Sequence, residues 1–189
     1  SIDGGEIPAS RFVLGARSPV LRQMLFLNST NRVTTSSELK IAYSATVVRA
    51  LVYYCRTNEL DDISLPTNEE SLRELVKLSQ CAIELELVGL EALVGNLVAS
   101  LCQVDPHVAC TFFDEAASGG GKPPVDSIKS IALGFIRRNP ETALLRKNHP
   151  RGQHFFGGIT SLRAESLKEI LNDPAICTEE INLFRAIVI

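Results

Sequence analysis

The sequence has no excess of positive charge and no cluster of basic residues. Its 189 residues include 19 Lys and Arg against 22 Asp and Glu, which gives a formal net charge of −3 at pH 7. Proteins that bind nucleic acid usually need a basic surface that neutralises phosphates. The sequence therefore predicts that nucleic acid is not a partner.

The sequence also has no signal peptide at its beginning and no apolar run long enough to span a bilayer. We therefore predict no membrane association. Residues 1–5 are typical of the tip of a hairpin whose first strand would precede them. Residues 186–189 lie inside an apolar helical pattern that ends without a cap. Together the two ends predict that the chain is a fragment of a longer protein.

The five cysteines are not arranged as a metal site or as a disulfide framework. Their number is odd, no pair has C-x-x-C spacing, and no nearby His completes a zinc ligand set. Each has apolar neighbours, and free Cys is among the most buried residue types. We therefore predict buried thiols and a reducing compartment, cytoplasmic or nuclear. The cysteines are Cys55, Cys81, Cys102, Cys110 and Cys177.

No group of residues has the spacing of a catalytic or cofactor-binding motif. Residues 119–122 read GGGK, but Pro123 follows where a phosphate-binding loop needs Ser or Thr and the start of a helix. His107, His149 and His154 have no acidic or nucleophilic partner at motif spacing. We predict that the chain is not an enzyme and binds no metal or cofactor; an uncharacterised enzyme is the alternative from a different class.

Apolar residues at three- and four-residue steps predict helices along most of the chain. Capping residues mark several of the starts, namely Ser18-Pro19, Ser44, Asn68 and Asp105-Pro106. Further helices are predicted at residues 87–102, 125–139, 165–171 and 179–189. Strand signals are confined to the front, where residues 6–12 predict a short strand leading into a helix and the alternation at 38–42 predicts a half-buried strand.

Residues 7–25 read IPASRFVLGARSPVLRQML, which resembles the first-helix signature of the BTB/POZ family, close to xAHRxVLAARSPxFxxML. Residues 51–60, LVYYCRTNEL, are similar without a gap to the family's LLxYIYTGEL. The sequence departs from these patterns at Ser10, where the family usually has His, and at Arg56 and Asn58, where it has Tyr and Gly. Residues 71–102 resemble the closing helices of the domain.

Residues 161–189 are similar to a segment of the BACK domain, a helical domain that follows BTB domains in many proteins. The two resemblances imply a BTB/POZ-like domain at 1–103 that lacks its first strand, and a BACK-like domain at 104–189 that is truncated at its C-terminus. The fold class they imply is α+β but mostly α, with short strands in the BTB part and only helices in the BACK part.

The resemblance implies a protein–protein interaction module that forms homodimers and binds a cullin scaffold as a substrate adaptor of a ubiquitin ligase. Such a module needs exposed shape and apolar anchors rather than reactive groups. The predicted partner-binding residues are Phe26, Leu27 and Asn28 after the first helices and Thr46, Arg49 and Tyr53 on the exposed side of the 44–56 helix.

Many cullin-binding members carry a hydrophobic-x-Glu triplet in the loop after the first helices. This sequence has no Glu between Phe26 and Glu38. An oligomerisation scaffold or regulatory protein that binds no cullin is therefore the alternative function.

Overall fold

The computed structural model describes residues 6–27, 39–61, 68–119, 125–145 and 157–176. Helices account for most of these residues. They are α1 (Arg11–Arg17), α2 (Pro19–Arg22), a π-helical turn (Gln23–Leu27), α3 (Ala45–Thr57), α4 (Glu69–Glu84), α5 (Val88–Val104), α6 (Val108–Ser118), α7 (Asp126–Arg138), α8 (Pro140–Leu144), a 3-10 turn (Ile159–Ser161) and α9 (Ala164–Leu171).

The capping residues start their helices as predicted. The Ser18 hydroxyl accepts a hydrogen bond from the Leu21 N–H at 3.0 Å, and Pro19 occupies the first position of α2. The Ser44 hydroxyl accepts from the Val47 N–H at 3.3 Å, and the Asn68 carboxamide accepts from the Ser71 N–H at 2.8 Å. Asp105 does not cap α6 directly. Its carboxylate accepts a hydrogen bond from the His107 N–H in a turn that precedes α6.

The predicted strands are not confirmed, since the described part of the chain contains no strand. Residues 6–10 have no regular structure, and α1 begins directly at Arg11. Residues 39–41 are irregular, and the Tyr43 N–H then binds the Ile41 carbonyl at 2.9 Å in a tight turn that leads to α3. An alternating pattern becomes a strand only when a neighbouring strand takes up its backbone hydrogen bonds.

The described residues form two compact units. The first is drawn from Ser1–Leu65 and Lys77–Val94, and the second from Pro66–Val76 and Gly95–Ile189. Helices α4 and α5 each contribute residues to both units. The boundary predicted between residues 103 and 104 separates the BTB/POZ-like domain from the BACK-like domain, and it stays a prediction.

In the first unit, α1 packs against α2, the π-helical turn and α3. The face of α3 predicted to be apolar is buried, because Val47, Val48, Leu51, Val52 and Cys55 all lie in the core. Asn58 ends α3 in the left-handed conformation, with φ 66° and ψ 21°. Asparagine tolerates this conformation better than most residues, so it can replace the glycine of the family pattern at the helix exit.

The second unit is built around α6, in which every residue from Val108 to Ala116 is buried. Helices α7, α8 and α9 and the 3-10 turn all contact α6. Helix α8 was not predicted from the sequence. It has only five residues, too few to show a helical period.

Two acidic side chains of α6 are buried and are neutralised by arginines. Arg163 donates its backbone N–H to Asp114 at 2.8 Å, and its guanidinium lies 3.4 Å from a carboxylate oxygen of both Asp114 and Glu115. Arg73 binds Glu115 at 3.4 Å and Glu69 at 2.8 Å. Carboxylates are expensive to bury without such partners, so these contacts hold α6 in place.

Replacing Arg163 with methionine is expected to lower the free energy of unfolding by about 2 kcal/mol, because two buried carboxylates lose a partner. Lys168→Met changes an exposed cation of α9 and is expected to cost less than about 0.5 kcal/mol. Chemical denaturation of both variants measures the difference. Equal losses would contradict a structural role for the Arg163 contacts.

The cysteine prediction is confirmed for the described residues, in which Cys55, Cys81, Cys102 and Cys110 are buried free thiols. Burial raises the pKa of Cys102 and of Cys110 from 9.0 to about 12. The Cys110 thiol also donates a hydrogen bond to the Ala143 carbonyl at 3.3 Å. Cys177 lies outside the described residues.

The raised thiol pKa values predict a loss of stability at alkaline pH. The folded state favours the neutral thiol, and this preference contributes to the free energy of unfolding. The contribution is complete below pH 9 and is lost as the pH rises from 9 towards 12. In that range each such thiol lowers the free energy of unfolding by up to about 1.4 kcal/mol per pH unit. Cys110→Ala should therefore unfold with a smaller alkaline slope than the unaltered protein in urea titrations between pH 8 and 10.5. Identical slopes would contradict the assignment.

Candidate partner-binding surface

The segment that carries the predicted partner-binding residue Phe26 is held in place by Arg17 and Ser18. The buried Ser18 hydroxyl caps α2 and donates a hydrogen bond to the Leu85 carbonyl at 2.6 Å. Arg17 donates to the Cys55 carbonyl at 3.1 Å and to the Asn58 side chain at 3.2 Å. These contacts fix α1 and the start of α2 on the first unit.

After α2 the helix widens into the π-helical turn, which contains Phe26. Its ring lies directly on α1 at Gly15, where an added Cβ would approach the Phe26 Cε2 atom to 2.7 Å. The ring centroid of Phe12 is 5.9 Å from that of Phe26, with the two planes tilted by 40°. The Arg11 guanidinium covers Phe26 at 5.2 Å from its centroid and donates to the Leu25 carbonyl at 2.5 Å.

This arrangement leaves large apolar side chains in contact with solvent. Phe12 is 80% exposed, Phe26 is 40% exposed, and Met24 of the same turn is 41% exposed. Exposed aromatic side chains that adjoin one another are typical of protein interaction sites, since aromatic and Arg residues dominate binding hot spots. Single π-helical turns are also frequent at functional sites. We call Phe12, Phe26 and Arg11 the aromatic surface.

Sequence reasoning identified Phe26 but missed Phe12. Phe12 lies inside the family-like stretch of residues 7–25, but it is not among the predicted partner-binding residues. Phe12 lies three residues before Gly15 and therefore on the same side of α1, but the sequence does not show that Phe26 packs at Gly15. Leu14, which is buried, lies on the opposite side. The backbone of Leu27 ends the π-helical turn, and Asn28 lies outside the described residues.

The other three predicted residues share one face of α3. Thr46 and Arg49 are exposed and Tyr53 is half-buried. Their spacing of three and four residues places them in a row along the helix. The predicted site residues therefore lie on two different elements, the π-helical turn and α3, rather than in one constellation.

The described residues contain no cluster of three or more His, Cys, Asp or Glu side chains that could hold a metal ion. Of the three histidines considered as bases, only His107 is described, and it lies half-buried before α6. Among the described helices, none is both long and apolar enough to cross a bilayer.

An exposed aromatic surface on a helical scaffold is typical of a module that other proteins bind. Comparison with family models identifies the module, because the model of the BTB/POZ domain matches residues 1–95. The chain belongs to the BTB/POZ family, whose domains mediate protein–protein interactions and dimerisation and are not typically enzymes. Comparison with curated proteins finds no match.

The family match ends before the tail that resembles a BACK domain. That resemblance stays a prediction. Its last part, residues 177–189, lies outside the described residues.

Proposed function

We propose that this chain is part of a substrate adaptor for a cullin-RING ubiquitin ligase. Its BTB/POZ domain binds the cullin scaffold and a second BTB domain, and its BACK-like domain holds a separate substrate-binding domain. The observation that carries the proposal is the BTB/POZ match over residues 1–95, together with the similarity of residues 161–189 to a BACK segment. Cytoplasm or nucleus is the proposed location, and the buried free thiols support it.

The exposed Phe26 supports the cullin contact, because it stands where the chain leaves α2 for the loop that cullin-binding relatives use. An aromatic side chain that is 40% exposed can still bury much of its area in a partner. Loss of one such anchor typically weakens a complex by more than tenfold.

The test is a binding titration between the full-length protein and the N-terminal domain of a cullin, followed by co-elution on a sizing column. The proposal expects a complex at micromolar concentration, and Phe26→Ala should weaken it about tenfold or more. Val88→Ala removes another exposed apolar side chain of the first unit, 75% exposed, and should leave the affinity unchanged. No co-elution of the unaltered protein would defeat the cullin role.

The second candidate function is an oligomerisation scaffold or regulatory protein that does not bind cullin. The absence of Glu between Phe26 and Glu38 favours it, since the hydrophobic-x-Glu triplet lacks its carboxylate. Asn28→Glu would complete a Phe-Leu-Glu triplet and is expected to create cullin affinity that the unaltered protein lacks. Tight binding by the unaltered protein would exclude this alternative.

A further inference from the structure

Positive and negative charges are separated along this chain. Residues 7–58 contain seven Lys and Arg and one acidic residue, Glu38, whereas residues 78–121 contain six Asp and Glu and no Lys or Arg. Helix α3 belongs to the basic part, and it carries Arg49 and Arg56 without an acidic residue. A separation of this kind predicts a basic surface that attracts negative charge, although the whole chain is acidic.

The arginines near α3 differ from those of the second unit in their ion pairs. Three arginines of the second unit lie within 3.4 Å of a carboxylate oxygen, namely Arg73, Arg137 and Arg163. Three arginines on or beside α3 are exposed and form no ion pair with another described residue, namely Arg17, Arg49 and Arg56. Their charge is therefore left for a partner to neutralise.

Two of these guanidinium groups are positioned by neutral oxygen atoms. Arg17 donates to the Cys55 carbonyl at 3.1 Å and to the Asn58 carboxamide at 3.2 Å. Arg56 donates to the Pro8 carbonyl at 2.9 Å. Such bonds restrict the side chain without cancelling its charge, and a guanidinium has five N–H groups, so others can bind a carboxylate.

Arg49, Tyr53 and Arg56 lie in a row on α3. Their spacing of four and three residues places them on one side of the helix. The opposite side of α3 is buried in the core, so the row faces away from it. Arg49 and Arg56 are two helical turns apart, which corresponds to about 10 Å along the axis. The half-buried ring of Tyr53 lies between them. We call Arg49, Tyr53 and Arg56 the basic row.

We propose that the basic row binds an acidic segment of a protein partner. Two carboxylates of the segment, about 10 Å apart, would pair with Arg49 and Arg56, and an apolar side chain between them would cover Tyr53. Guanidinium and carboxylate groups form strong, directional hydrogen bonds, and Arg and Tyr are enriched in binding hot spots. The inference goes beyond the cullin contact proposed for Phe26, because it assigns a second partner chemistry to a different element.

An acidic protein fits the basic row better than a nucleic acid does. The family mediates protein–protein interactions. Nucleic-acid binding usually requires many cations on one surface, since each phosphate contact adds little by itself. The basic row has two arginines with an aromatic ring between them, which suits a short mixed sequence of carboxylates and apolar side chains.

The test is a selection of random twelve-residue peptides displayed on phage against the immobilised full-length protein. The enriched peptides are synthesised, and their affinities are measured by fluorescence anisotropy. We expect them to carry Asp or Glu on both sides of an apolar residue. Arg49→Glu should weaken their binding about tenfold or more, and replacement of one peptide carboxylate by Lys should restore binding to this variant.

Arg22→Glu is the matched control, because Arg22 is also exposed in the first unit and the charge change is the same. It should leave the peptide affinity unchanged. The free energy of unfolding of Arg49→Glu should equal that of the unaltered protein, since no described contact of Arg49 is lost.

Four results would overturn the inference. They are enrichment of neutral or basic peptides or of none, equal losses for Arg49→Glu and Arg22→Glu, tighter binding of duplex DNA than of the peptides with the same dependence on Arg49, and dissociation of an oligomer by Arg49→Glu in sedimentation. The last would identify a second copy as the occupant. The cullin titration depends on Phe26 and is separate, since either experiment can fail while the other succeeds.

Discussion

Replacing Gly157 with alanine is expected to lower the free energy of unfolding by about 3 kcal/mol. Gly157 has φ +112°, a conformation that L side chains rarely adopt. An added Cβ would collide with the His107 carbonyl oxygen and approach its carbon to 2.7 Å. Because both obstacles are backbone atoms, no side-chain rotation can relieve them. The neighbouring hydrogen bond from the Gly158 N–H to the His107 carbonyl, 3.0 Å long, would be strained as well.

Gly134 is the matched control for this substitution. It lies inside α7, and an added Cβ would meet no atom within 4 Å. Alanine forms helices better than glycine, so Gly134→Ala should raise the free energy of unfolding by about 0.5–1 kcal/mol. Urea denaturation measures the expected decrease in the free energy of unfolding for Gly157→Ala and the expected increase for Gly134→Ala. Equal changes for Gly134→Ala and Gly157→Ala would contradict the geometry around His107.

Replacing Ser18 with alanine is expected to lower the free energy of unfolding by about 2–3 kcal/mol. The hydroxyl accepts from the Leu21 N–H at 3.0 Å and donates to the Leu85 carbonyl at 2.6 Å, and Ser18 is only 1% exposed. The loss combines a helix cap with a buried hydrogen bond whose remaining partner cannot reach water. Because α2 leads directly to Phe26, the same variant should also weaken the proposed cullin contact of Phe26.

Ser44→Ala provides the comparison, since Ser44 caps α3 through a longer, partly exposed bond of 3.3 Å. Removal of a helix cap in such a setting costs about 1 kcal/mol. Thermal or chemical unfolding of both variants should therefore show the larger loss for Ser18→Ala. The opposite order would show that the bond between Ser18 and Leu85 does not stabilise the first unit.

The local chemistry of the chain predicted much of its helical structure. Ser18, Ser44 and Asn68 start helices because their short polar side chains satisfy free N–H groups of the first turn. The apolar face of α3 was predicted from residue spacing alone. Its opposite side carries Thr46 and Arg49, which are exposed as expected. These caps and helix faces depend only on residues within one or two helical turns, so the local sequence is enough to predict them.

Half of the aromatic surface could not be predicted in this way. Phe12 and Phe26 are fourteen positions apart, and their contact depends on how α1 packs against the π-helical turn at Gly15. Nothing in either segment alone indicates the partner ring. The strand predicted at residues 38–42 is not confirmed, and a strand likewise requires a distant partner for its backbone hydrogen bonds.

The sequence by itself determined the family, the helical character and the positions of the caps and apolar faces, because these follow from neighbouring residues and from a dense local signature. Tertiary structure decided which side chains meet across the chain. It placed Arg163 on Asp114 and Glu115, the Gly157 backbone against His107 and Phe12 beside Phe26. Such contacts join residues far apart in sequence, and their energies depend on packing and burial that arise only once the helices are assembled.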